Sequence, residues 1–167
     1  MTTAAPTREQ VLAWLQDVKD PEVPVVSVVE LGVVRDVLFE DDGVTVEITP
    51  TYSGCPALRV MEDDILATLA LHGVSDARVR TVFREPWTTE WMSDEAKEKL
   101  RVYGIAPPLH ADVAGEVLVP LRRRAVIVCP FCGSHATVLK SEFGSTACKA
   151  IYACSECRQP FDYFKAI

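Results

Sequence analysis

Hydrophobic residues in the first third of the chain recur first with the period of a helix and then with that of strands. Thr7 and Gln10 offer a capping box ahead of apolar residues at helical spacing, namely Val11, Trp14, Leu15 and Val18. Two prolines in residues 20–24 end this helix. Residues 31–39 and 44–49 are typical of strands, and Asp41-Asp42-Gly43 between them is a hairpin signal.

The following residues predict a second helix, a strand and a third helix. The second helix runs from Pro56 to His72, with Gly73 as its stop and a buried stripe of Leu58, Met61, Ile65 and Leu69. Residues 74–83 predict a strand. Ser93 caps a helix over residues 94–103 that Gly104 closes. The order α-β-β-α-β-α predicts a small α/β sandwich of the α+β class in residues 1–106.

The last third of the chain has a different pattern. Residues 107–122 contain proline and glycine without periodicity, which predicts a linker. Residues 123–167 predict a β-rich module with a strand at 125–128 and a hairpin around Phe143-Gly144-Ser145. Three aromatic residues end it, and core packing is the interpretation favoured for at least one of them: Phe161, Tyr163 and Phe164.

Four cysteines of this module form two Cys-x-x-Cys knuckles, Cys129 with Cys132 and Cys154 with Cys157. The knuckles are 21 residues apart, which is the spacing of a four-thiolate metal site. A module of this size buries too little apolar surface to fold alone, so a bound metal would supply the missing stability. Zinc is the preferred ion and iron suits the same sulfurs, while two disulfides are the alternative. The sequence therefore predicts a four-cysteine zinc ribbon.

Composition and charge limit which cellular compartment and which classes of partner we expect. The chain is 49% hydrophobic and 25% charged, as in an ordinary globular protein. Its start lacks the apolar core of a signal peptide, and no later run approaches the length of a membrane span, so we expect a cytoplasmic protein with reduced thiols. The net charge of −7 combines an acidic first part with a mildly basic ribbon, which argues against binding of nucleic acid.

Cys55 is the second chemical feature, because it lies between Gly54 and Pro56 where a loop leads into a helix. As an N-cap, its sulfur would lie beside unpaired backbone N–H groups that favour the thiolate, so it could be a nucleophile or a ligand for a soft metal. Packing as a small apolar residue is the alternative. Cys148 has no knuckle partner, and we expect it to pack inside the hairpin.

Asp20 and Glu22 flank Pro21 in the acidic domain. Carboxylates in this setting usually cap or solvate a turn; the functional alternative is that they help Cys55 to hold a metal. The chain contains no glycine-rich phosphate loop, no dinucleotide fingerprint and no paired Glu-x-x-His of a di-iron site. We therefore assign no catalytic residue.

Several segments resemble the SufT-like domain family, which is tied to cytosolic iron–sulfur assembly and has a small α+β fold. The matching segments are Asp20-Pro21-Glu22-Val23-Pro24, Leu31-Gly32-Val33-Val34, Thr49 to Pro56, Pro86-Trp87-Thr88 and Trp91-Met92-Ser93. The characteristic cysteine of that family corresponds to Cys55. The resemblance implies that Cys55 transiently holds iron or an iron–sulfur cluster.

The ribbon residues resemble a more specific family. Residues 141–150 and 157–165 are similar to the C-terminal part of the PaaD (PaaJ) family, which accompanies the multicomponent phenylacetyl-CoA epoxidase of aerobic phenylacetate degradation. In that system another subunit holds the di-iron centre, and a reductase with flavin and an iron–sulfur cluster supplies electrons. The resemblance implies a non-catalytic accessory subunit that helps to assemble or insert a metal centre in its partners, especially the reductase.

Two other roles stay open at this point. A stoichiometric structural subunit of the oxygenase would not need Cys55, whereas a thiol enzyme would form a covalent intermediate on it. A delivery site needs incomplete coordination, which one thiolate with weak ligands, or two Cys55 sulfurs across a homodimer, would provide.

Overall fold

The computed structural model describes residues 6–40, 43–109 and 126–166. The chain divides into two compact units. The first contains the described residues up to Trp87 together with Trp91–Ala96, and the second contains Thr88–Glu90 and the described residues from Lys97 onward. The hairpin signal at Asp41-Asp42 and most of the predicted linker, from residue 110 onward, lie outside the described residues.

The first unit begins with α1 (Arg8–Leu15), and its predicted capping box is confirmed. The Thr7 hydroxyl accepts from the Gln10 N–H at 3.3 Å, and the Gln10 side chain accepts from the Thr7 N–H at 2.9 Å. After α1 the chain forms a short antiparallel pair, β1 (Lys19–Asp20) and β2 (Val23–Ser27), which the sequence did not predict.

A three-stranded sheet and a crossover helix form the centre of the first unit. The antiparallel strands β3 (Val34–Glu40) and β4 (Gly43–Ile48) are the predicted hairpin. β5 (Ala77–Thr81) pairs in parallel with β4, and α2 (Leu58–Leu71) connects them. The predicted stripe of α2 is buried at Met61, Ile65 and Leu69, because apolar side chains at this spacing share one helix face.

The helix α3 (Asp94–Tyr103) matches its predicted bounds, and the Ser93 hydroxyl accepts from the Ala96 N–H at 3.0 Å. The next residues, β6 (Ile105–Ala106), pair in parallel with Asp162 and Tyr163 of the last strand. The second unit therefore begins before residue 106 in the structure. The predicted limits of the domains, at 106 and 123, stay a prediction.

The second unit contains a four-stranded sheet in the order β6, β9, β8, β7. β8 (Lys149–Cys154) runs antiparallel to both of its neighbours, β7 (Thr137–Ser141) and β9 (Pro160–Phe164). Phe161, Tyr163 and Phe164 are all buried, so the expectation of core packing is confirmed for each of them. The predicted strand at 125–128 is wrong for its described part: residues 126–128 make no ladder, and the Ile127 carbonyl instead accepts from the Thr137 hydroxyl.

Candidate functional site

The four ribbon cysteines meet at one point, as the spacing predicts. Their sulfur atoms all lie within 4.8 Å of one another, with Cys129 Sγ 3.7 Å from Cys157 Sγ and Cys132 Sγ 3.6 Å from Cys154 Sγ. Sulfurs bound tetrahedrally to zinc at about 2.3 Å would be about 3.8 Å apart, so the donor set fits a zinc ion. A disulfide requires about 2.05 Å, so both distances are too long for a disulfide, and all four cysteines are free thiols in this structure.

The backbone explains why each knuckle presents two sulfurs to the same point. In each knuckle, the N–H of the first cysteine donates to a carbonyl five residues later: Cys129 to Ser134 at 2.9 Å and Cys154 to Gln159 at 3.0 Å. The residue after the second cysteine has a positive φ in both loops, +73° at Gly133 and +60° at Arg158. The two knuckles are therefore copies of one turn.

The thiols ionise unequally. The N–H of Cys157 donates to Cys154 Sγ and, with further donors, lowers the pKa of Cys154 to about 7. The N–H of Gln159 also acts to lower the pKa of Cys157. Burial and the neighbouring sulfurs outweigh it and raise that pKa to about 12. A thiol that retains its proton in this way must lose it when a metal binds, so binding releases protons.

The quartet lies at the edge of the ribbon core. Cys129 and Cys154 are buried in a cluster that includes Phe161 and Tyr163, while Cys132 is exposed. A metal held by all four sulfurs would join the two knuckle loops to this cluster. A closed four-ligand site of this kind is structural, because no coordination position remains for a reactant.

Cys55 lies outside the quartet and is half-buried. It is not the N-cap of α2 that the sequence suggested, because that position belongs to Ala57. Cys55 instead belongs to the turn before the helix: its N–H donates to the Tyr52 carbonyl at 3.2 Å, and its carbonyl accepts from the Leu58 N–H at 3.3 Å. The structure therefore gives no support to activation of Cys55 as the N-cap of α2.

The structure does not bring Asp20 and Glu22 together with Cys55 as a set of three ligands. Among the described residues, the ribbon quartet is the one group of three or more Cys, His, Asp or Glu ligand atoms close enough to share an ion. Asp20 is buried, and its Oδ1 accepts from the Glu22 N–H at 2.7 Å and the Val23 N–H at 3.1 Å. Asp20 thus has the turn-capping contacts that carboxylates beside a proline usually make.

Two other polar side chains differ in how well the sequence predicts them. Cys148 is buried and lies 3.0 Å from the Thr146 hydroxyl, in agreement with packing inside the hairpin. No motif in the sequence points to Glu47, yet its side chain is 1% exposed, makes an ion pair with Arg80 at 3.0 Å and accepts a hydrogen bond from Arg84 at 2.5 Å. The alternation of Val44, Val46 and Ile48 indicated only that Glu47 lies on the opposite face of the sheet.

Comparison with known proteins covers both parts of the chain. Residues 8–81 match the family model described as iron-sulfur cluster assembly protein, and residues 115–165 match the PaaD zinc beta ribbon domain. The chain is 43% identical over 170 residues to a protein of Escherichia coli (strain K12) that carries the name of a 1,2-phenylacetyl-CoA epoxidase subunit. That alignment covers 99% of this chain and 97% of the relative. The chain belongs to the PaaD family.

This PaaD-family chain also has relatives that match little more than half of it. It is 38% identical to the Fe-S protein maturation auxiliary factor YitW of Bacillus subtilis (strain 168), over 57% of this chain and 94% of the relative. The crystal structure of a domain of unknown function, DUF59, from Bacillus anthracis is similar with a TM-score of 0.52 and 32% identity. It covers 56% of this chain and 90% of the other. The expected SufT-like α+β fold is confirmed.

The same evidence confirms the ribbon as a module of the PaaD type. Its family model and the four clustered sulfurs agree on a metal-binding β-ribbon. Among the helices formed by described residues, none combines the length and the apolar character that crossing a membrane requires.

Proposed function

We propose that this PaaD-family protein is a non-catalytic accessory subunit of a phenylacetyl-CoA epoxidase. In this role it assists the assembly or insertion of the iron–sulfur or iron centre of a partner subunit. The observation that carries the proposal is the half-buried Cys55, which lies outside the quartet and within residues 8–81, the part that matches the iron-sulfur cluster assembly family model. Relatives that carry the names of an epoxidase subunit and a maturation factor support the two halves of this role.

The cargo in this proposal is iron or a cluster held briefly by Cys55. One thiolate leaves most coordination positions to weak or external ligands, so the cargo can exchange onto the sulfurs of an acceptor. Glu22 is exposed, whereas Asp20 Oδ1 accepts two backbone N–H groups. Glu22 is therefore the better candidate for a weak second ligand; a second copy of the chain, contributing its own Cys55, is the other arrangement.

The ribbon has a separate role in this proposal. Zinc at Cys129, Cys132, Cys154 and Cys157 would stabilise a rigid module that contacts partner subunits, with the iron–sulfur and flavin reductase as the preferred acceptor. All four positions of the ion would be filled, so the ribbon metal would not be transferred. Zinc in the ribbon and iron at Cys55 would therefore be lost independently.

The test is a Cys55→Ser variant produced together with the reductase subunit. We expect the reductase to contain much less iron and sulfide, because serine is a poor ligand for a soft cluster. The variant itself should keep its zinc and its free energy of unfolding within about 1 kcal/mol, since Cys55 is half-buried. Iron, sulfide and zinc per protein are measured on material purified without oxygen.

Cys148→Ala is the matched control, because it removes another cysteine that lies outside the quartet. It should leave the reductase cluster unchanged. A fully loaded reductase beside Cys55→Ser would exclude the transfer role. If the epoxidase complex still copurified with that variant, a stoichiometric structural subunit would be the correct description.

A further inference from the structure

A polar pocket lies at one edge of the sheet in the first unit. Its volume is about 200 Å³, and Arg35, Glu47, Arg84, Glu85 and Trp91 are among the residues that line it. Thr49 and Val82, which follow β4 and β5, also line it. The pocket therefore lies at the carboxyl ends of two parallel strands, where α/β proteins commonly bind their ligands.

The wall formed by Trp91 is fixed by the backbone around it. Gly32 has φ +73°, and a Cβ there would come within 2.5 Å of the Trp91 carbonyl oxygen, so only glycine allows this approach. On either side, the Trp87 indole N–H donates to the Leu31 carbonyl at 3.0 Å and the Ser93 N–H donates to the Glu30 carbonyl at 2.9 Å. The indole ring of Trp91 thus has a rigid support.

Arg35 lies over this ring, with its guanidinium carbon 3.3 Å from the ring centroid. Within the part of the chain that the structure describes, no carboxylate makes an ion pair with Arg35. A guanidinium stacked on an aromatic ring keeps its N–H donors in the plane of the fork, where they can bind a carboxylate with two hydrogen bonds. The stacking therefore orients Arg35 without satisfying its donors.

Arg84 is the second cation of the pocket. One of its nitrogens donates to the buried Glu47, which also makes an ion pair with Arg80, and 70% of the Arg84 side chain stays exposed. One carboxylate cannot neutralise two guanidinium groups or accept from all of their N–H donors, so Arg84 keeps positive charge and unused donors. Glu47 thus holds Arg84 in place while leaving it able to bind another anion.

The remaining acidic groups of the pocket differ in their availability. Asp36 makes an ion pair with Arg8 at 3.1 Å and accepts from the Val37 N–H at 2.8 Å. Glu85 is exposed and has no ion pair with any described residue. Glu85 would repel an incoming anion and attract an incoming cation, so its replacement reveals the sign of the ligand.

We propose that this pocket is a docking site for a protein partner and receives a carboxylate side chain from an acidic segment of that partner, between Arg35 and Arg84. The volume supports a single side chain, since pockets for whole small molecules usually have about 300–1,000 Å³. The proposal goes beyond metal delivery and does not depend on it, because the contact involves neither Cys55 nor the ribbon.

The test uses the full-length, zinc-loaded protein and two peptides, acetyl-Gly-Glu-Gly-amide and acetyl-Gly-Gln-Gly-amide. Nitrogen-15 NMR follows the indole N–H of Trp91 and the side-chain N–H of Arg35 during titration. We expect the Glu peptide to shift both signals and the Gln peptide to bind at least about tenfold more weakly, because only the carboxylate pairs with two guanidinium groups. Added salt should weaken the binding of the Glu peptide.

Three variants test which charge the ligand carries and whether it binds in this pocket. Arg35→Gln should weaken binding of the Glu peptide by about tenfold, while Glu85→Gln should strengthen it by about twofold to threefold as a repulsion is removed. Arg59→Gln removes an equal charge from the exposed surface of α2 and should change nothing. Glu85 is exposed, so its replacement tests the pocket even if Arg35→Gln fails to fold.

Other outcomes would overturn the proposal. Weaker binding of the Glu peptide by Glu85→Gln, or preferential binding of acetyl-Gly-Lys-Gly-amide, would show that the pocket accepts cations. Sodium acetate that bound as tightly as the Glu peptide, with the same shifts, would assign the pocket to free carboxylates instead of a protein segment. Absence of any shift at Trp91 and Arg35 would exclude the site.

Discussion

Gly133 and Arg158 occupy the same position in the two knuckles, immediately after the second cysteine of each. Both have the left-handed backbone that the turn requires, with φ of +73° and +60°. Glycine adopts this conformation without cost, whereas a residue with a Cβ does so at a cost of about 1–2 kcal/mol. One knuckle therefore contains the favoured residue and the other contains a strained one.

This asymmetry predicts opposite effects of two substitutions. Gly133→Ala should lower the free energy of unfolding of the metal-loaded protein by about 1 kcal/mol, through backbone strain alone, since no atom beyond the neighbouring residues lies within 4 Å of the added Cβ. Arg158→Gly should raise it by about 0.5 kcal/mol, because relief of strain exceeds the entropy that glycine adds to the unfolded chain. Denaturant titrations measure both; a loss of stability in Arg158→Gly would contradict the explanation.

Residues differ in how far the sequence determines their role. The quartet was predictable because each Cys-x-x-Cys pair is local, and two such pairs at this spacing have few other uses. The role of Glu47 was not predictable, since its charge is paired by Arg80, in the neighbouring strand β5, and by Arg84, which follows that strand. Contacts between residues far apart in the chain leave no periodic signal.

At the scale of elements, the N-terminus of α3 depends on one side chain. The Ser93 hydroxyl accepts from the Ala96 N–H, while the Ser93 N–H donates to the Glu30 carbonyl. A substitution that removes only the hydroxyl therefore abolishes the hydrogen bond to the Ala96 N–H and keeps the backbone hydrogen bond to Glu30.

Ser93→Ala should destabilise the protein by about 1 kcal/mol, because an N–H of the first turn loses its acceptor. Ser93→Asp should retain the stability, since aspartate is an equally good N-cap. Thermal unfolding monitored by circular dichroism compares the two variants with the parent. Equal stability of the alanine and aspartate variants would show that the hydroxyl contributes nothing.

The three long helices and the central hairpin were predictable from the sequence, and the shortest strands were not. α1 and α3 carry their caps in the local sequence, and α2 carries a clear apolar stripe. β1 and β6 contain two residues each, too few to show alternation, and exist because another strand supplies their hydrogen bonds. The described part of the strand expected at 125–128 does not form for the same reason, since Val126 to Val128 are apolar but have no partner strand among the described residues.

At the scale of the whole molecule, the two units depend on different sources of stability. The first has buried apolar side chains from two helices and a sheet, among them Val11, Leu15, Val46 and Ile65. The second has a smaller cluster built around two of the four metal-binding cysteines. Removal of a structural metal should therefore affect the units unequally, because metal binding supplies folding free energy only where the ligands lie.

The aromatic residues allow this inequality to be measured in one sample. All three tryptophans, Trp14, Trp87 and Trp91, belong to the first unit, whereas Tyr152 and Tyr163 belong to the second. A strong zinc chelator should abolish the near-ultraviolet circular dichroism of the ribbon tyrosines and leave tryptophan emission and its thermal transition unchanged. Joint replacement of Cys129 and Cys154 by serine should reproduce the effect without a chelator. Loss of the tryptophan transition together with the tyrosine signal would instead show that the units unfold as one, since independent units give separate transitions.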